Sequence, residues 1–169
     1  FCVDNNLFFQ FSIYLPTLTM KEVKKRAGKK FLGIQLHEPY LIFQPLTEVP
    51  LPSYVKKAQN ILEKKNAYIQ YLNGKCSKAE YEGLPVFFGD PSLLNVYHRD
   101  ADSTGIFCEP VTNCSLLFSA ARDSGKEFGS HIAGDWYLGS KHDELALRRL
   151  RMLLYLTYAY GGNYITVES

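Results

Sequence analysis

The chain has 169 residues, 46% of them hydrophobic and 21% charged, with a formal net charge of +2. That composition excludes a disordered tail, and a chain of this size buries roughly two-thirds of its unfolded surface without needing disulfides or metal. No apolar run reaches the about 20 residues of a membrane-spanning helix, so no membrane is expected and the setting reads as intracellular and cytoplasmic, while a start on Phe1 rather than Met reads as a processed product or a fragment.

Leu7 to Leu15 places Phe9, Phe11, Ile13 and Leu15 on one side, the period-two pattern of a strand, and Pro16 ends it. Thr19 and Glu22 form a capping box that predicts a helix from Met20 to Gly28, with Met20, Val23 and Ala27 as its narrow apolar face. The surrounding segment, LTMKEVKKRAGKK, sets six cations against one carboxylate: Lys21, Lys24, Lys25, Arg26, Lys29 and Lys30. Phe31 to Leu36 and Tyr40 to Phe43 read as strands. Pro45, Pro50 and Pro52 mark a stiff connector over 45–52, a candidate sub-boundary in what otherwise reads as a single domain over 1–169.

Ser53 is predicted to cap a helix running to about Asn73, with Val55, Ala58, Ile61, Leu62, Ile69 and Leu72 buried and Gly74 as its stop. Ser77 and Glu80 cap a short helix, Val86 to Phe88 is a buried strand, and Asp90-Pro91 opens another helical turn. Asp100 to Gly105 is an acidic loop. Gly105 to Cys108 reads as a strand, Asn113 to Arg122 as a helix closed at Gly125, and Ile132 to Leu138 as a strand. Ser140 and Asp143 cap a helix from Lys141 to Tyr160, and Asn163 to Val167 is the final strand. Leu145, Leu147, Leu150, Met152, Leu153, Leu154 and Leu156 leave that helix little polar face. It is expected to be buried on most sides, as the core helix or beneath another chain in an oligomer or complex. The irregular order of elements predicts an α+β fold with a mixed sheet, β-grasp-like at its N-terminal part.

Two readings of function follow. Thr19 to Gly28 resembles the first helix and turn of helix-turn-helix regulators of the lac repressor type. In that family a recognition helix follows directly, whereas Phe31 to Leu36 here has the pattern of a strand. What remains is an exposed cationic helix face. The primary expectation is a non-enzymatic binding or assembly module that meets an acidic protein surface or nucleic acid through Lys21, Lys24, Lys25, Arg26, Lys29 and Lys30. The alternative starts at Asn113-Cys114-Ser115-Leu116-Leu117-Phe118-Ser119-Ala120, which is similar to the active-site helix of papain-like proteases. Cys114 in a first helical turn would gain thiolate character from the helix dipole. His131 would supply the imidazole and Asp135 the orienting carboxylate of a thiol hydrolase.

Asp100-Ala101-Asp102-Ser103-Thr104 has the D-x-D-x-T form that opens the haloacid-dehalogenase phosphatases, but His98-Arg99 stands where that family has an apolar strand, so a solvated acidic turn is expected. Cys2, Cys76, Cys108 and Cys114 make no C-x-x-C, and His37, His98, His131 and His142 make no H-x-x-x-H. Neither a metal nor a nucleotide cofactor is therefore expected.

Overall fold

The structure is a computed structural model that describes residues 4, 8–12, 20–37, 52–77, 83–90, 93–108, 114–133 and 144–168. Six strands alternate with helices: β1 (Phe9–Ser12), α1 (Met20–Ala27), β2 (Phe31–His37), α2 (Ser53–Lys57), α3 (Ile61–Cys76), β3 (Val86–Asp90), β4 (Gly105–Cys108), α4 (Cys114–Asp123), β5 (Glu127–Ala133), α5 (Glu144–Ala159) and β6 (Tyr164–Glu168). A 3-10 helix, Leu93–Asp100, joins β3 to β4. The strands lie in the order β1-β2-β3-β4-β5-β6, and every neighbouring pair is parallel. Helices and strands are thus both present as the sequence predicts, but the described sheet is parallel throughout rather than mixed. Alternation of strand and helix along the chain is what a parallel sheet requires, because each return to the same end needs a crossover.

Strand parity divides the two faces. Ile34 and Leu36 on β2 are in register with Val86 and Phe88 on β3, and Phe88 with Ile106 on β4. These residues point at the helices: Ile34, Leu36, Val86 and Phe88 pack with Val23 and Ala27 of α1 and with Tyr68 and Leu72 of α3. Ile106, Cys108 and Phe128 pack with Leu117, Phe118 and Ala121 of α4. The other parity faces away from the helices, and there the sheet curls upon itself. Gln35 on β2 and His131 on β5 touch at 2.8 Å, although three strand spacings of a flat sheet would hold their backbones about 14 Å apart. The rings of Phe87 on β3 and Tyr164 on β6 likewise come within 5.6 Å. The sheet is an arc with helices on its convex side and side chains converging on its concave side.

Several elements differ from the sequence expectation for local reasons. The helix predicted from Ser53 breaks at Ala58, and α3 restarts behind a capping box made by Asn60 and Glu63. Asn60 Oδ1 accepts from the Glu63 amide at 2.9 Å, and Glu63 accepts from the Gln59 amide at 2.8 Å. The restart turns the helix, so Ile61 and Leu62 are 80% and 62% exposed while Ala67, Tyr68 and Leu72 are buried. Gly74 lies inside α3. β5 begins at Glu127, five residues before the predicted Ile132. The final helix buries one stripe, Ala146, Leu153 and Thr157, and leaves Leu145, Leu147, Met152, Tyr155 and Tyr158 exposed. Burial on most sides is not what α5 shows. The predicted strand Tyr40 to Phe43, the connector 45–52 up to Leu51, and the caps at Thr19, Glu80, Ser140 and Asp143 lie outside the described residues.

Candidate functional site: a polar centre on the concave face

Two groups of side chains line the concave face. The first is aromatic. The Phe87 and Phe107 rings lie 5.3 Å apart between centroids, tilted by 36°, and Tyr164 meets Phe87 at 5.6 Å and Phe107 edge-on at 6.2 Å. Glycines make room for these rings. A Cβ at Gly105 would stand 2.5 Å from the Phe87 ring and 2.7 Å from the Glu127 carbonyl oxygen, and one at Gly129 would overlap the backbone carbonyl of Tyr164. Burial raises the Tyr164 phenol above its ordinary value, with Glu127 adding to the effect. Its hydroxyl stays protonated at neutral pH.

The second group is polar and comes from four strands. Gln10 on β1 donates from Nε2 to Gln35 Oε1 on β2 at 2.5 Å. Gln35 Nε2 meets Nδ1 of His131 on β5 at 2.8 Å, and the same Nδ1 meets Thr166 Oγ1 on β6 at 2.9 Å. Gln35 and His131 are 4% and 6% exposed. His131 and Thr166 are in register and lie two residues past the Gly129–Tyr164 pair. On these strands the polar centre therefore sits on the carboxyl-terminal side of the aromatic one. That is the end at which parallel β/α proteins bind ligands, because the loops leading into the helices gather there.

The residues predicted from sequence are distributed as follows. On α1 the apolar Val23 and Ala27 face the core, and Lys24, Lys25 and Arg26 are exposed, as is Lys29 just beyond. Lys24 Nζ donates to the Gly83 carbonyl at 2.6 Å. Lys21 lies in the first turn of α1, and Lys30 ends the 3-10 turn before β2. Cys114 is the first residue of α4, past the carboxyl end of β4, and His131 is inside the sheet. Asp135 lies outside the described residues. His131 is held by an amide and a hydroxyl, Gln35 and Thr166, through Nδ1. Sequence reasoning missed Gln10, Gln35 and Thr166, whose only signal is a polar residue at an inward position of an otherwise apolar strand.

A second polar cluster lies before the amino end of β5. Lys126 Nζ donates to the carbonyl oxygens of His98, at 3.0 Å, and of Ala101, and approaches Ser103 Oγ at 3.4 Å. His98 is fully buried, meets the Tyr68 hydroxyl through Nε2 at 3.2 Å and packs on the Phe88 ring. Burial, reinforced by the charge of Lys126, drives its imidazole down to about 3. Burial pushes the Cys76 thiol up to about 11, with the Asp102 charge adding. Neither group is armed for chemistry at neutral pH, and the cluster reads as a clamp that seats the acidic loop on β5. Asp100 in that loop is bound by Lys65 at 2.9 Å and Arg99 at 3.0 Å.

Among the described residues, no three His, Cys, Asp or Glu side chains gather as metal ligands would, and no helix is long and apolar enough to cross a membrane. No family model, curated protein or solved structure matches the chain.

Proposed function

We propose that the chain is a parallel β/α ligand-binding module whose site is the polar centre around His131, on the carboxyl side of the concave face. The observation that carries this reading is the 2.8 Å contact between Gln35 and His131 across the arc. Polar groups drawn from four strands into an otherwise apolar interior cost stability unless each is satisfied, so their convergence on one imidazole calls for a reason beyond packing. The described groups of the centre are amide, imidazole and hydroxyl. They suit a small ligand bearing hydroxyl or carbonyl groups, with His131 donating or accepting a hydrogen bond, or a proton where the ligand is reactive. The test is a nuclear magnetic resonance titration of labelled protein with a panel of small polyols, amides and carboxylates, repeated on His131→Phe. Amide shifts centred on β2, β5 and β6 and lost in the variant support the reading; shifts spread over the surface, or retained in the variant, refute it.

A second reading rests on a separate observation, the exposure of Lys24, Lys25 and Arg26 on α1 and of Lys29 in the 3-10 turn that follows it. Such a face supports contact with an anionic partner, an acidic protein or nucleic acid, as the sequence suggests. Reversing Lys25, Arg26 and Lys29 to Glu should abolish binding to duplex or single-stranded oligonucleotides and flatten its salt dependence. Oligonucleotide affinity unchanged by the reversal would rule this face out.

A further inference from the structure

The outward face of α5 is apolar and uncovered. Tyr155 and Tyr158 are 74% and 81% exposed, and Leu145 and Met152 are exposed beside them. Single apolar residues on a surface are ordinary, but these share one face. Leu145, Arg148, Met152, Tyr155 and Ala159 follow one another at intervals of three and four residues, which is the seam of a coiled coil. A groove of about 490 Å³ runs along this seam, lined by Arg148, Arg151, Met152, Tyr155, Leu156 and Ala159. We infer that this face pairs two copies of the chain, α5 against α5 in antiparallel orientation about a two-fold axis.

The spacing of the lining residues says that a helix fills the groove. When two helices interlock, a knob from one enters a hole made by four residues of the other, one turn apart in pairs. Arg148, Arg151, Met152 and Tyr155 make one such hole, and Met152, Tyr155, Leu156 and Ala159 make the next. The occupant therefore presents apolar knobs at the same interval. α5 carries such knobs itself in Met152 and Tyr155, so the face is complementary to its own copy, as a two-fold interface requires.

Charge sets the direction. Residues 144–151 carry Arg148, Arg149 and Arg151 against Glu144 alone, whereas residues 152–159 carry no charged side chain. Arg148 holds Glu144 at 2.6 Å along the helix, which leaves Arg149 and Arg151 as net positive charge. Parallel helices would press these cationic halves together. Antiparallel helices set the cationic half of each copy against the carboxyl-terminal half of the other, whose last carbonyl groups carry partial negative charge. With Met152 packed on the partner's Tyr155, a sulfur–aromatic contact, Arg148 falls beside the small Ala159 in the partner's last turn. Arg151 and Tyr158 share a flank of the seam, so Arg151 comes over the partner's Tyr158 ring, and each contact occurs twice. A strongly acidic helix would suit the arginines but not the uncharged aromatic half. One helix pair buries less than the about 800 Å² per partner of a standard interface, so the dimer is a weak one with a micromolar dissociation constant.

Sedimentation velocity on the whole chain, from about 1 μM to about 500 μM, reads the equilibrium by mass action. Native protein should pass from monomer to dimer and go no further. Met152→Glu combined with Tyr155→Glu places unpaired carboxylates in the seam and should weaken the dimer at least about a hundredfold. Its unfolding midpoint at the lowest concentration should stay unchanged, since both positions are exposed in the monomer. Should that variant fail to fold, Tyr158→Ala decides, with an expected weakening of about threefold to tenfold. Direction is read by mixing native protein with an Arg148→Glu, Arg151→Glu variant. Antiparallel pairing predicts a heterodimer intermediate in affinity between the two homodimers, whereas parallel pairing predicts one tighter than native. A chain monomeric throughout, a dimer that the variants on α5 leave unchanged, or a heterodimer tighter than native overturns the inference. A monomer whose α5 amides shift on adding a polyglutamate peptide or a single-stranded oligonucleotide assigns the face to that partner and overturns it as well.

Discussion

Replacing Leu153 by Ala tests how α5 is held. Leu153 is 5% exposed and lies on the buried stripe with Ala146 and Thr157. The change removes three carbons, about 2.4 kcal/mol of transfer free energy at about 0.8 kcal/mol each. The cavity left behind adds up to about 2 kcal/mol, depending on how far the site collapses, for a total loss of about 2–5 kcal/mol. In a chain of this length each kcal/mol moves the unfolding midpoint by roughly 2–4 °C, so the expected drop is about 4–20 °C. The neighbouring Met152, 53% exposed, provides the control: Met152→Ala should cost about 1 kcal/mol or less. Thermal unfolding followed by circular dichroism measures both, and light scattering on the same samples reports mass. Equal effects at the two positions would refute a helix packed on one stripe. A loss of mass in Leu153→Ala without loss of stability would assign the stripe to an interface instead.

Gly129→Ala should destabilise by more than about 2 kcal/mol and weaken exchange protection on β5 and β6 first, since the added methyl overlaps the Tyr164 backbone. Thr157→Val should cost about 1–3 kcal/mol in urea unfolding, because the Thr157 hydroxyl bridges the Leu153 carbonyl, at 2.8 Å, and the buried Ser130 Oγ. His98 provides a pH test. Its folded value, about 3, lies below the ordinary 6.5, so its contribution is complete above pH 6.5 and falls as the pH drops toward 3. The urea midpoint should decline over that window, and His98→Gln should flatten the decline; an identical slope in the variant would show that other groups titrate.

The sequence makes the helix starts and short strands legible because their signals are local. α1 begins at Met20 as expected, Gly28 adopts a positive φ of 57° at the end of α1, and the apolar run Gly105 to Cys108 forms β4. The α2–α3 break was hidden because the apolar residues on both sides of Ala58 suit one continuous helix; Ser53, expected to cap it, is instead the first residue of α2, whose N-cap is Pro52 with no side-chain cap, and it is Asn60 that caps α3. The start of β5 was hidden because Glu127, Phe128, Gly129, Ser130 and His131 include no β-branched residue. The parallel order could not be read from periodicity, since with both faces of the sheet covered the strands lose the alternation of apolar and polar positions that marks an exposed face. The site itself is spread over Gln10, Gln35, His131 and Thr166, which no spacing rule connects. It exists only because the sheet curls.

That curl is the claim on which the polar centre depends, and nuclear Overhauser contacts test it most directly. The account predicts cross-peaks between the side-chain amide of Gln35 and the ring protons of His131, together with contacts between the Phe87 and Tyr164 rings. Cross-peaks confined to adjacent strands, with none between β2 and β5 or between β3 and β6, would mean a flat sheet and would contradict the account.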